Sequence, residues 1–281
     1  MLNNAIKLMR LDKPIGIYLL WFPTAWALHL AYGNQIPKDV LCYFLLGTIF
    51  MRSAGCIIND MADKDFDAHV WRTKDRPLAQ GQVGMRFAWI LLSILLLASF
   101  IILLQLPNNC FWVAIFALGI VGLYPFCKRF LPTPQLVLSL AFSMSIPMVN
   151  VASHHTWTSS WSLLMLINML WILAYDTEYA LADLEDDKKI GIFSTARFFG
   201  KYVRTIIALL QISLHLLWLP LAQILNLNID FQFIWLLTWG FWFHQWFLLT
   251  KNQKELDFKA FKVNAWYGLV MWIAMVLSLN H

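Results

Sequence analysis

Nine apolar stretches of membrane length succeed one another along this chain, at residues 15–32, 40–58, 87–106, 111–126, 135–152, 161–182, 204–225, 231–249 and 261–279. A bilayer core of about 30 Å is crossed by about 20 such residues in a helix. With no water there to satisfy peptide groups, only helices and closed barrels can span it. The stretches lack the two-residue alternation of barrel strands. They predict an all-α integral membrane bundle of nine transmembrane helices. Composition agrees, because only 13% of the residues are charged, against about a quarter in soluble domains. Pro23, Gly47, Pro125, Pro147 and Pro220 interrupt several stretches, which neighbouring helices can accommodate.

The basic residues orient the bundle. Nineteen of the 21 Lys and Arg fall before helix 1 or in the loops after helices 2, 4, 6 and 8, whereas Lys38 stands alone on the opposite side. The positive-inside rule then puts the N-terminus on the cytoplasmic side and the C-terminus outside. In a bacterium this is the inner membrane. The net charge of +5 therefore reflects topology, and no motif of a nucleic-acid-binding fold accompanies it. The first residues, MLNNAIKLMRLDKP, resemble neither a cleavable signal nor a transit peptide, so helix 1 is expected to remain. Cys42, Cys56, Cys110 and Cys127 have no metal-ligand spacing and are read as packing residues.

Eleven of the sixteen carboxylates gather in two places: Asp60, Asp63, Asp65, Asp67 and Asp75 after helix 2, and Asp176, Glu178, Asp183, Glu185, Asp186 and Asp187 at the end of helix 6. Charge at membrane depth is costly and usually functional. The offset of four helices suggests two four-helix pseudo-repeats plus a ninth helix, with a site between the halves. The whole chain, residues 1–281, reads as one membrane-embedded domain. The segments at 59–86 and 183–203 are its longest loops.

Asn59, Asp63 and Asp67 are spaced by four, and Asp176, Asp183 and Asp187 by seven and four. Each set is predicted to form one helical stripe. Carboxylates four apart repel, and a divalent cation would relieve this. All-oxygen donors suit Mg²⁺ or Mn²⁺, and Mg²⁺ is commonly shared between carboxylates and substrate phosphates. Arg72, Lys74, Arg76, Lys128 and Lys188 stand nearby as phosphate-neutralising cations. Arg52 lies two turns deeper than Asn59 and needs an anion, either an internal carboxylate or a substrate carboxylate gripped bidentately. Metal, cations and apolar walls together suit prenyl transfer, in which a diphosphate leaves an allylic carbon sheltered from water.

The residues 51–60 (MRSAGCIIND), with Asp63 and Asp67, running into Arg72-Thr73-Lys74-Asp75-Arg76-Pro77-Leu78, resemble the NDxxDxxxD and RTxxRPL signatures of the UbiA prenyltransferases. Tyr175-Asp176-Thr177-Glu178-Tyr179-Ala180, Asp183, Asp186-Asp187, Lys188, Gly191 and Ser194-Thr195 are similar to a second run, found in members that act on 4-hydroxybenzoate. Leu184 and Glu185 stand where relatives often carry Arg and Asp, leaving the spacing of Asp183 and Asp187 intact.

The resemblance implies a membrane enzyme using Mg²⁺ to move a polyprenyl group from its diphosphate to the ring carbon ortho to the hydroxyl of 4-hydroxybenzoate, in ubiquinone synthesis. It implies metal ligation by Asn59, Asp63, Asp67, Asp183 and Asp187, and contact of Arg52 with the acceptor. It also implies that Tyr124 and Lys128 lie beside the ionising diphosphate. The expected catalytic residues are Asp63, Asp183, Lys128 and Tyr124; the expected substrate-binding residues are Arg52, Asn59, Arg72, Arg76, Asp176 and Lys188. His69 is a candidate base for the ring proton. Dihydroxynaphthoate, homogentisate or haem are alternative acceptors, and a cation transporter is the alternative of another class. The partners expected are the two substrates and membrane lipid, without nucleic acid.

Overall fold

The computed structural model describes residues 1–67 and 72–279. Their regular structure is entirely helical: α1 (Leu2–Leu8), α2 (Ile15–Tyr32), α3 (Lys38–Ala62), α4 (Lys64–Asp67), α5 (Met85–Leu103), α6 (Cys110–Cys127), α7 (Pro134–Ser143), α8 (Ser145–Ala152), α9 (Ser159–Ile190), α10 (Thr195–Phe199), a 3-10 turn at Gly200–Tyr202, α11 (Val203–Ile224), α12 (Ile229–Leu249) and α13 (Lys254–Ser278).

Among the described residues, seven segments are long and apolar enough to cross a membrane: α2, α3, α5, α6, Pro134–Ala152, Thr195–Ile224 and α13. The other two stretches expected to span, 161–182 and 231–249, lie within α9 and α12. Both helices carry polar side chains turned inward, including Asn168, Glu178, Thr238 and Gln245, all fully buried. Such groups lower the apolarity of a helix without meeting lipid.

The fifth stretch is two helices because of Pro147. Proline offers no N–H to the carbonyl of Ser143 and its ring crowds that carbonyl, so α7 stops at Ser143 and α8 restarts at Ser145. The Ser143 hydroxyl instead accepts a hydrogen bond from Asn168 Nδ2 at 2.9 Å, pinning the break to α9.

Helix α9 is the axis of the fold, packing against α7, α11 and α13, while α2 packs against α8, α3 and α13. Aromatic rings fill the junction. Trp26 lies 5.1 Å from both Trp171 and Trp218 between ring centroids, and Trp242 lies 4.2 Å from Tyr267. Offset and edge-on pairs of this kind add to the gain from burial alone. Helices α5 and α6 present Trp89, Ile94, Leu97, Trp112, Ile115 and Phe116 outward, as lipid-facing surfaces do.

With 32 residues, α9 is about 48 Å long at ~1.5 Å per residue, well beyond the bilayer core of about 30 Å. Gly191 ends it in a left-handed conformation, φ 78°, with its N–H on Asp187 O, a position where glycine carries no steric penalty. The region expected as a long loop from 183 is thus largely helical, through Ile190 and again in α10.

Candidate functional site

The first acidic stripe survives a break in the chain. Helix α3 ends at Ala62, and Asp63 caps it with φ −100° and ψ 9° before α4 begins. Helical backbone bonds nevertheless run on, from Asp63 N to Asn59 O at 2.9 Å and from Asp67 N to Asp63 O at 2.8 Å. Asn59, Asp63 and Asp67 stay in line, with both aspartates buried. The second stripe needs no such repair, since Asp176, Asp183 and Asp187 all belong to α9.

Cations interleave the two stripes. Lys128, just after α6, donates to Asp63 Oδ2 at 2.9 Å and to Asn59 Oδ1 at 3.2 Å. Its ammonium also lies 5.3 Å from the centre of the Tyr124 ring, within cation–π range. Arg72 grips Asp183 with two prongs, Nε to Oδ1 at 3.1 Å and Nη2 to Oδ2, and stacks 4.0 Å over Tyr179. Arg76 bridges Asp67 at 2.6 Å and Asp60 at 3.0 Å. Burial opposes the charge on Lys128, but Asp63 outweighs it and raises its pKa. Burial also raises the pKa of the Asp67 carboxyl from its ordinary value, against the pull of Arg76.

At Lys128 Nζ two oxygens one turn apart, Asn59 Oδ1 and Asp63 Oδ2, converge on a single cation. Among the described residues, no three His, Cys, Asp or Glu side chains form a ready-made metal group. Mg²⁺ needs none, as it is usually held by one or two carboxylates completed by phosphate and water oxygens. The all-oxygen donor set fits it.

Arg52 lies deeper. Its guanidinium is 5.4 Å from the centre of the Phe142 ring and within electrostatic reach of Tyr175, Tyr179 and Asp176. Its Nε and the Tyr175 hydroxyl are buried without a hydrogen-bond partner. An unsatisfied buried donor is costly, so a guanidinium and a hydroxyl left this way form a socket suited to an anion. Asp176, half-buried, is also within electrostatic reach of Lys128 and Arg72.

Eleven of the twelve expected site residues thus share one region, while Lys188 is exposed and Lys74 turns outward from it. His69 lies outside the described residues. Cys56, Cys110 and Cys127 are buried, but Cys42 is exposed on α3, a correction to its reading as a packing residue; a thiol is apolar enough to face lipid. Several contributors carry no motif of their own. Arg10 shares Asp60 with Arg76, at 2.7 Å. Glu178, within the acidic run, turns away from the site and accepts from Gln211 Nε2 at 2.8 Å and Asn264 Nδ2 at 2.7 Å. Its opposite helical phase, two residues from Asp176, was the available signal.

A helical membrane bundle with paired acidic stripes over a cation-lined site defines the class, and a profile of the UbiA prenyltransferase family matches residues 20–274. The chain belongs to that family. A Legionella pneumophila (strain Lens) protein named 4-hydroxybenzoate octaprenyltransferase is 53% identical over 277 residues, 99% of this chain and 98% of that one. A Yersinia pseudotuberculosis serotype IB protein of the same name is 41% identical over 273 residues, 97% of this chain and 94% of that one. Among solved structures, the apo UbiA homolog from Aeropyrum pernix K1 superposes with a TM-score of 0.80 at 20% identity, covering 92% of this chain and 97% of that one. A UbiA homolog from Archaeoglobus fulgidus bound to GPP and Mg²⁺ gives 0.74 at 18% identity, covering 98% and 99%.

Proposed function

We propose that this protein transfers a polyprenyl group from polyprenyl diphosphate to 4-hydroxybenzoate in ubiquinone biosynthesis. The observation that carries the reading is Lys128 bridging Asn59 and Asp63 opposite the Arg72–Asp183 pair, beside the partnerless Arg52 Nε. One end of this region suits a diphosphate and the other a carboxylate. Kinship with the Legionella and Yersinia proteins supports both substrates, and their shared name supports an octaprenyl donor.

Mg²⁺, held through Asn59, Asp63 and Asp67 and through Asp183 and Asp187, would supply charge neutralisation on the leaving diphosphate. Lys128, Arg72 and Arg76 add their own charges to its oxygens, as charge-assisted donors. Tyr124 keeps the Lys128 ammonium over its ring. Arg52 grips the acceptor carboxylate and so presents the opposite side of the ring, with its hydroxyl, to the allylic carbon. The allylic C–O bond breaks, a C–C bond forms at the ring carbon ortho to the hydroxyl, and the proton on that carbon leaves to restore aromaticity. The apolar bundle excludes water from the electron-poor prenyl carbon meanwhile.

We further read α9 and α12 as the eighth and ninth spans beside the seven apolar ones, in two four-helix pseudo-repeats plus a last helix. All of residues 1–281 then form one domain. Loop charge supports a bacterial inner-membrane location with the N-terminus and site cytoplasmic and the C-terminus outside. The deciding experiment is mass spectrometry of lipid products after incubating purified protein with Mg²⁺, 4-hydroxybenzoate and mixed polyprenyl diphosphates. A polyprenylated 4-hydroxybenzoate is expected; its absence, with another acceptor prenylated instead, would overturn the assignment.

A further inference from the structure

The Arg52 guanidinium lies 5.4 Å from the centre of the Phe142 ring and within electrostatic reach of Tyr175 and Tyr179, and it is also approached closely by a residue with no side chain. Gly16 is buried in the first turn of α2. A Cβ built there would stand 2.5 Å from Nη2 and 2.8 Å from Cζ of Arg52. Ordinary contact begins near 3.5 Å. The guanidinium therefore occupies the very volume that any other residue at position 16 would fill. Arg52 is a flexible side chain, so it would be the one to yield, away from α2.

We propose that Gly16 is a positioning residue that sets the depth of the Arg52 guanidinium and thereby the fit of the carboxylate-bearing acceptor. The inference rests on the reading of Arg52 as the acceptor's partner. Alanine at 16 moves the guanidinium by roughly 1 Å to restore contact distance. A misplacement of that size can cost about 10²-fold when it disturbs the alignment of reacting groups. The diphosphate end is spared, since Lys128, Arg72 and Arg76 stand on segments other than α2 and α3, and the atoms nearest a Cβ at position 16 all belong to Arg52. An aromatic anion with a compact carboxylate is the acceptor class such a socket selects; a longer acidic arm would need the guanidinium further back.

The test is a double-mutant cycle on full-length, detergent-purified protein with Mg²⁺, 4-hydroxybenzoate and a polyprenyl diphosphate, using Gly16→Ala, Arg52→Ala and the pair together. Gly16→Ala is expected to raise the acceptor KM by about tenfold or more, with the diphosphate KM within about twofold, the spread expected of an uncoupled site. In the Arg52→Ala background, adding Gly16→Ala should change acceptor kcat/KM by less than about twofold, because no guanidinium remains to be displaced. Equal loss in both backgrounds, or both KM values rising together, would overturn the proposal. If Gly16→Ala alone does not fold, the double variant should, melting with Arg52→Ala; failure of both to fold also overturns it. An Arg52→Ala protein with unchanged acceptor KM would instead sink the underlying reading of Arg52, an outcome distinct from an Arg52 effect that Gly16 does not share.

Discussion

Arg72 and Asp183, 111 residues apart in sequence, form a two-pronged ion pair with Nε on Oδ1 at 3.1 Å. This ties the segment after the first acidic stripe to the centre of the second. Lys128 does the same from a third element, through Asp63 and Asn59 and through its carbonyl, which accepts from Phe193 N at 2.9 Å. Asp63, Asp67 and Asp183 are thus ion-paired to Lys128, Arg76 and Arg72, with Asp187 within electrostatic reach of Lys128 and Arg72, a small set of cations able to trade partners when a diphosphate arrives.

Asp63→Ala and Asp183→Ala are each expected to abolish prenyl transfer while leaving the protein inserted and monodisperse. Both residues are buried and ion-paired, Asp63 to Lys128 and Asp183 to Arg72, but each freed cation keeps another acceptor oxygen near it, Asn59 Oδ1 for Lys128 and the carboxylates of Asp176 and Asp187 for Arg72. EDTA should silence the wild type and Mg²⁺ restore it. Product yields above about a tenth of wild type in both variants, well short of the loss typical of removing a key electrostatic group, would count against metal binding there.

Arg52→Ala should raise the acceptor KM more than the diphosphate KM. The lost charge-assisted bond is worth about 1.5 to 3 kcal/mol, or roughly one to two orders of magnitude in affinity. Kinetics with each substrate varied in turn decide it: an effect confined to the diphosphate would refute the role.

Glu178→Leu should destabilise the bundle without a selective effect on either substrate. It strips acceptors from Gln211 and Asn264, which are themselves tied to Trp246 at 2.6 Å and Trp171 at 2.9 Å. Breaking such a network typically costs about 1 to 3 kcal/mol, read as a melting point in detergent lower by several degrees. An unchanged melting point would show that the network contributes nothing net.

Sidedness is best read with introduced thiols, because Cys110 and Cys127 are buried. Asn108 and Lys188 are exposed at opposite ends of the bundle. In a background without native cysteines, Asn108→Cys should label from outside intact cells and Lys188→Cys only after the membrane is opened. The reverse pattern would invert the topology inferred from loop charge.

Much of this protein was legible in one dimension. Apolar runs of fixed length imply helices because lipid offers peptide groups no partner, and a spacing of four implies a stripe because the helical repeat is 3.6. Asn59, Asp63, Asp67, Asp183 and Asp187 could be picked out on those grounds, and the family resemblance carried by their motifs was established by kinship. Partner choice could not be read so, because it depends on contacts between distant segments. Only the tertiary structure paired Arg72 with Asp183 instead of a nearer carboxylate, turned Glu178 into the core while its neighbours face the site, and brought Gly16 of α2 against Arg52 of α3. A side chain's periodicity determines which face of a helix it joins; what stands opposite that face is decided only when the helices pack.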